Sequence, residues 1–202
     1  MSSPALVKVG KDVRIDPTAV IHGPTTIGNN VFIGPGVVID NCVIGNNVSV
    51  AQGCQLMLSV VGDGAFLPFR AALFMTTLGE NSMVAQNTCL QMCVVGRDTF
   101  IGAGSTFTDF NMASKPIRTI YHDQLVEVGL PVIGGCVGHH CRLGAGLTIF
   151  PARTIESDVM LVGSRAERVI RHNVTYADSD HLKIPNGEVL FPPQYQKRAE
   201  SW

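Results

Sequence analysis

Residues 27–43 read IGNNVFIGPGVVIDNCV, and the next 17, residues 44–60, read IGNNVSVAQGCQLMLSV. The same register holds without a gap through VGDGAFLPFRAALFMTT (61–77), LGENSMVAQNTCLQMCV (78–94) and VGRDTFIGAGSTFTDFN (95–111). The first column of these rows is Ile27, Ile44, Val61, Leu78 and Val95, each followed by glycine. The seventh is Ile33, Val50, Leu67, Val84 and Ile101, and the thirteenth is Ile39, Leu56, Leu73, Leu90 and Phe107. Each row is therefore three short sides of six, six and five residues, each opened by one large apolar residue. Upstream, Ile15 and Ile21 continue the six-residue spacing.

A short strand with one inward aliphatic cannot bury that face alone. Stacking successive coils pairs their backbones into parallel sheets and joins the aliphatics into internal ladders. Gly and Asn between the sides supply the left-handed backbone that tight corners need. The fold predicted is all-β: a triangular parallel β-helix of 17–18-residue coils. The five-residue third side predicts one tighter corner.

Outward from these rows, the pattern stops after Asn111 and resumes at Val132-Ile133-Gly134. A long loop near 112–131 is expected on one face, where inserts in repeat arrays carry function. It holds Lys115, Arg118, Tyr121, His122, Asp123 and Glu127, a dense polar set beside bland coils. A further coil follows from Val137, and Ile155 opens another. Past Ser164 the pattern fades. The chain divides into a β-helix domain, residues 1–166 with the inserted loop, and a C-terminal extension, 167–202, read as an irregular tail.

Composition excludes several classes. With a formal net charge of −1 and no basic run, nucleic acid is not an expected partner. The uncharged stretch from Asn41 to Gly62 is too polar for a bilayer, so no membrane partner is expected, and the first residues lack a signal-peptide apolar core. The six scattered cysteines read as free thiols, and the protein as cytoplasmic. The positions just before inward aliphatics should face outward, and they include Phe32, Phe66, Met83 and Phe100. A homotrimer packing prism against prism would cover that column; a folded-back tail is the alternative.

Ile33-Gly34-Pro35-Gly36-Val37 and Ile101-Gly102-Ala103-Gly104-Ser105 resemble the motif of the hexapeptide-repeat superfamily, over roughly residues 13–170. The resemblance implies a left-handed coil, a homotrimer, and transfer of an acyl group from a coenzyme A thioester to a hydroxyl or amine of a small acceptor. Pro131-Val132-Ile133-Gly134, Gly144-Ala145-Gly146 and the run from Gly163 to Ile170 resemble the end of its sugar and antibiotic acetyltransferase branch. By that resemblance Ala145, Gly163, Ser164 and Arg165 line the coenzyme groove, with Arg168 or Arg171 near its phosphates. Two departures stand out. The family's catalytic histidine opens the loop, where this chain has Thr108-Asp109-Phe110-Asn111, and Arg165 replaces a proline.

A general base with a pKa near 7 must then come from elsewhere. His122 in the loop and His139 or His140 at the following corner are the candidates, each otherwise an ordinary surface histidine. Asp109 and Asn111 would orient the base or position substrate, or Asp109 simply caps the loop. Arg118, and Tyr121 beside it, would contact the acceptor, or Arg118 forms a surface ion pair. Two other readings stay open. A metalloenzyme like the γ-class carbonic anhydrases would draw ligands from His122, Cys136, His139, His140 and Cys141. Its characteristic histidine pair is missing, so no metal is expected. A non-catalytic trimeric scaffold is the other.

Overall fold

A computed structural model describes residues 4–113, 115–163 and 168–180. Three parallel sheets of eight strands each make the faces of a prism. The first runs from Val7–Val9 to Thr154–Ile155, the second from Arg14–Ile15 to Met160–Leu161, and the third from Val20–His22 to Val169–Ile170. This is the left-handed parallel β-helix of the repeat. Registered ladders realise the columns read from the sequence. Ile44 pairs with Val61, Val61 with Leu78, Leu78 with Val95, and Val95, across the insert, with Val137.

The core is the stack of those inward residues. Ile33, Ile39, Val50, Leu67, Leu90, Ile101, Leu143 and Ile149 are fully buried. Every coil contributes to three ladders at once, so no single coil has an interior of its own. Inward-facing hydroxyls tie neighbouring coils together at the corners. Thr76 Oγ1 donates to Leu90 O (3.2 Å) and accepts from the Cys93 N–H (3.3 Å), and Ser82 Oγ accepts from the Thr99 N–H (3.0 Å). Buried polar groups persist here because they are bonded.

The third corner is tight, as the five-residue side requires. Asn41, Leu58, Met75 and Met92 turn it with φ of 55°, 52°, 48° and 52°. Asparagine tolerates that backbone, whereas leucine and methionine adopt it at a cost of about 1–2 kcal/mol each. Leu58 and Met75 are nevertheless exposed. In the outward column of the second sheet, Phe32 and Phe66 are exposed while Met83 and Phe100 are half-buried.

The expected loop is not structureless. Arg118–Tyr121 and Gln124–Glu127 form an antiparallel hairpin, with Arg118 opposite Glu127 and Tyr121 opposite Gln124. Its turn residues, His122 and Asp123, both lie in the left-handed region (φ 47° and 58°), the geometry two-residue hairpin turns require. The return passes close over the previous coil at Gly134, where a Cβ would run into Gln91 O and lie 2.7 Å from Met92 O.

The ladder also continues past the point where the sequence pattern fades. Val169–Ile170 pairs with Thr148–Ile149, and Val174 bridges Ile155. A short 3-10 turn, Tyr176–Asp178, then leads to Ser179, whose Oγ accepts from the Met160 N–H (2.7 Å) and donates to Met160 O (3.2 Å). These contacts cap the open end of the prism, where unpaired strand edges would otherwise invite association. Most of the expected irregular tail, residues 181–202, lies outside the described residues. No helix among the described residues is long and apolar enough to cross a membrane.

Candidate functional site

The hairpin is anchored by two hydrogen bonds to the corner between Thr148–Ile149 and Thr154–Ile155. Thr119 Oγ1 donates to Ala152 O (2.9 Å), Arg153 Nη2 donates to Arg118 O, and Ile117 is buried beneath. The anchoring leaves a cleft of about 810 Å3 between the foot of the insert and the third corner of the last coils. Its walls carry Phe110, Lys115, Arg118, Phe150, Arg153 and Arg171, with Thr108 and Asn111 at the near end.

The electrostatics of this cleft are one-sided. Among the described residues, four that line it are cationic and none is acidic, in a chain whose formal net charge is −1. Arg118 is partly neutralised by Glu127 (Nη2 to Oε1, 3.1 Å), with both side chains about half exposed. Arg153 is half-buried and, among the described residues, donates to three carbonyl oxygens, those of Pro151 (3.0 Å), Arg171 (3.4 Å) and Arg118. Burial pulls its guanidinium below its ordinary pKa. The Arg171 guanidinium stands 5.8 Å over the Phe150 ring.

The structure divides the sequence-predicted residues into groups. Asn111 and Arg118 line the cleft. Asn111 is also a loop clamp, its Oδ1 accepting from the Ala113 N–H (3.1 Å) and its Nδ2 donating to Lys115 O (3.0 Å). Asp109 is half-buried beside the cleft, and its carbonyl accepts from the Ile133 N–H (2.8 Å), which closes the insert. Tyr121 and His122 lie at the exposed hairpin tip with ring centroids 4.2 Å apart, outside the cleft lining.

His139 lies at the corner that follows Cys136–Val137. It occupies the corner column that holds Asn29, Asn46 and Asp63 in earlier coils. There each side-chain oxygen accepts a backbone N–H from the preceding coil: Asn29 from Lys11 (2.8 Å), Asn46 from Asn29 (2.9 Å) and Asp63 from Asn46 (2.7 Å). In His139 the acceptor is Nδ1, which takes the Arg97 N–H (3.1 Å). As an acceptor, Nδ1 takes the place of the side-chain oxygen in the earlier coils. The neighbouring His140 takes the left-handed corner position (φ 57°), 3.4 Å from Asp98.

Three of the residues that the family resemblance implies for a coenzyme groove lie within the described residues. Ala145, Gly163 and Arg168 meet at the second corner of the last coils. A Cβ on Gly163 would lie 3.0 Å from Ala145 O and 4.0 Å from Arg168 Cγ. Ser164 and Arg165 lie outside the described residues. The corner and the cleft sit at opposite ends of one prism side, the third-sheet side through Thr148–Ile149. Gly146 and Phe150 are four residues apart along that side, about 13 Å at strand rise.

Arg153, Arg171, Lys115 and Phe150 were not singled out as one site by sequence reading. Ile149 and Ile170 are paired, which places Phe150 and Arg171 in adjacent coils at the same step. That alignment was hidden because the step between these coils departs from 17 residues. Among the described residues, no group of three His, Cys, Asp or Glu side chains is placed to hold a metal ion. The Cys141 thiol is buried and donates to Glu156 O (3.0 Å), and burial pushes its pKa up to about 11.

Residues 4–95 match the family profile described as the GMPPB C-terminal domain. Among solved structures the chain is similar to PerB from Caulobacter crescentus, in complex with CoA and GDP-perosamine. The identity is 24% over 46% of this chain and 47% of that one, with a TM-score of 0.45. It is similar to the acetyltransferase domain of PglB from Neisseria gonorrhoeae, in complex with acetyl coenzyme A, at 21% identity over 49% and 47% of the two chains, TM-score 0.38. LpxA from Acinetobacter baumannii matches at 17% identity over 82% and 67%, TM-score 0.40. The match spans about half the length of the first two, 47% in each case.

Proposed function

We propose that the chain is an acyltransferase of the hexapeptide-repeat, left-handed β-helix superfamily, a reading supported by its three stacked parallel sheets and by its seventeen-residue repeat. The donor is a coenzyme A thioester and the acceptor a hydroxyl or amine of a small molecule. The observation that carries the reading is the pairing of two sites on one prism side. The corner of Ala145, Gly163 and Arg168 is the donor groove, and the cationic cleft under the insert is the acceptor site.

The working unit is a cytoplasmic homotrimer. The exposed column of Phe32 and Phe66 supports the assembly, and six unpaired thiols suit a reducing compartment. His122 is the general base, carried on the hairpin tip to a neighbouring subunit's cleft, with Tyr121 beside it on the substrate. Its nitrogen takes the acceptor's proton as the acceptor oxygen or nitrogen attacks the thioester carbonyl. Backbone N–H groups hold the oxyanion, and the collapsing intermediate expels the coenzyme thiolate, which recovers the proton from His122. Asp109 and Asn111 fix the foot of the insert, and Arg118 orients the acceptor. Arg165 belongs to the donor groove by resemblance.

A second reading, a non-catalytic trimeric scaffold, is favoured by one observation: among the described residues, no histidine of the same chain lines the cleft. Calorimetric titration with coenzyme A and acetyl-coenzyme A separates the two. Saturable binding at one site per chain, weakened by Arg168→Ala, is expected for the transferase. Acyl transfer in an acceptor screen should then disappear in His122→Ala. A folded trimer that binds neither ligand is the scaffold.

A further inference from the structure

We propose that the third corner of the coils between Leu56 and Val95 is a docking ridge for this chain's own segment Val189-Leu190-Phe191-Pro192-Pro193. Three neighbouring ladders build the ridge. Met75 and Met92 stand at the corner itself, Phe74 pairs with Met57 on the third-sheet side, and Val60 and Val94 flank Thr77 on the first-sheet side. All but the half-buried Met92 are exposed, Met75 at 46% and Val94 at 53%. Residues 55–61, 72–78 and 89–95, which carry these ladders, contain no charged residue. Contiguous apolar surface of this kind marks a contact site, whereas scattered apolar exposure does not. Met75 and Met92 also hold φ of 48° and 52°, a backbone that asparagine adopts at less cost. The ridge is separate from the Phe32 and Phe66 column, which lies on the second sheet.

Shape and bonding select the occupant. A convex corner meets the flat side of another prism along a line, so a second copy covers little of it. An extended segment laid across the corner covers both flanks. The corner backbone is already bonded along the prism axis, with Leu58, Met75 and Met92 donating to Asp40 O (2.9 Å), Met57 O (3.0 Å) and Phe74 O (2.8 Å). It therefore offers side chains and no ladder to extend. A segment ending in two prolines suits such a surface, because proline has no N–H to leave unpaired. Among residues 181–202, Val189 to Pro193 is the longest apolar run.

The reach is sufficient. Asp180 Oδ2 accepts from the Val162 N–H (2.6 Å), which fixes the point of departure at the end of the second sheet. The coil of Met75 lies four strand pairings below Leu161, and its corner one prism side away. At ~4.8 Å per coil and ~3.3 Å per residue the path is roughly 30 Å, and the chain from Asp180 to Phe191 spans up to about 36 Å. The segment then crosses Phe74 and Met75 and leaves Leu58, at the lower edge, in water.

Neither the ridge nor the segment takes part in acyl transfer as proposed above, so the two readings fail separately. The test uses the full chain with Phe191→p-benzoylphenylalanine, whose photoactivated carbonyl inserts into nearby C–H bonds, followed by peptide mass spectrometry. Adducts on Phe74, Met75 or Met92 are expected. In oligomers assembled from heavy-isotope and unlabelled chains they should join peptides of like isotope. Met75→Lys should lower their yield roughly 10-fold, the loss expected when one large apolar side chain is no longer covered. Leu190→Ser should do the same from the segment's side, with circular dichroism confirming the fold and sedimentation an unchanged oligomeric mass for each variant. Absence of adducts on the ridge overturns the proposal. So do adducts joining unlike isotopes, which make the occupant a neighbouring copy's segment. A Met75→Lys chain of lower oligomeric mass also overturns it and gives the ridge to a second copy.

Discussion

Replacing His139 distinguishes a corner residue from a catalytic one. In the folded chain its Nδ1 accepts the Arg97 N–H at 3.1 Å, the role that Asn29 and Asn46 fill with a side-chain oxygen in earlier coils. His139→Asn should restore that acceptor, while His139→Ala should remove it. A net intramolecular hydrogen bond contributes about 0.5–1.5 kcal/mol. The site is exposed, so water can satisfy the freed N–H, and a loss of about 1 kcal/mol is expected for Ala. In a domain of this size that lowers Tm by roughly 2–4 °C. Thermal unfolding followed by circular dichroism should therefore rank wild type and His139→Asn together, with His139→Ala below both. Acyl-transfer turnover should stay within about twofold of wild type in both variants, since neither change touches the cleft. A well-folded His139→Asn that loses turnover about 100-fold would refute the corner assignment and return His139 to catalysis.

Burial pushes the thiols of Cys93 and Cys141 up to about 12 and about 11, from an ordinary 9.0. The unfolded chain then releases protons from pH 9 upward while the folded chain keeps them, so stability is full below pH 9 and declines above it. These two thiols alone should cost about 3 kcal/mol between pH 8 and pH 10 in urea denaturation, and Cys93→Ala with Cys141→Ala should flatten that decline. In the native protein, an alkylating reagent followed by mass spectrometry should modify exposed Cys136 before buried Cys42, Cys54, Cys93 or Cys141. Leu58 is exposed with φ 52°, so Leu58→Asn should stabilise the protomer by about 1 kcal/mol in thermal unfolding; a lower Tm contradicts the corner geometry. Gly134→Ala places a methyl against Gln91 O and Met92 O, backbone atoms that cannot move aside. A loss of about 3 kcal/mol and faster proteolysis within residues 112–131 are expected, and an unchanged digestion pattern argues against the tight return.

Some of this architecture is written in the chain itself. The spacing of Ile27, Ile33 and Ile39, repeated every 17 residues, leaves only one way to bury single aliphatics on short strands. The coil length, the three ladders and the tight corner at Asn41, Leu58, Met75 and Met92 follow from it. The corner role of His139 was legible too, because it shares its column with Asn29 and Asn46. A histidine read for its chemistry alone obscures that alignment. The hairpin was not legible: its turn is His122-Asp123 rather than Asn-Gly, and its strands pair with each other outside the repeat register. The last strand, Val169–Ile170, was missed because the repeat lengthens there and carries no glycine signal.

The cleft belongs to the tertiary structure alone. Periodicity reports what faces inward, since each ladder position must be apolar to be buried. It says nothing about which outward charges meet. Lys115 and Arg118 come from the insert, and Arg153 and Arg171 from two successive coils. They converge because Thr119 and Arg153 dock the hairpin against the third corner, leaving four cations and, among the described residues, no carboxylate around one cleft.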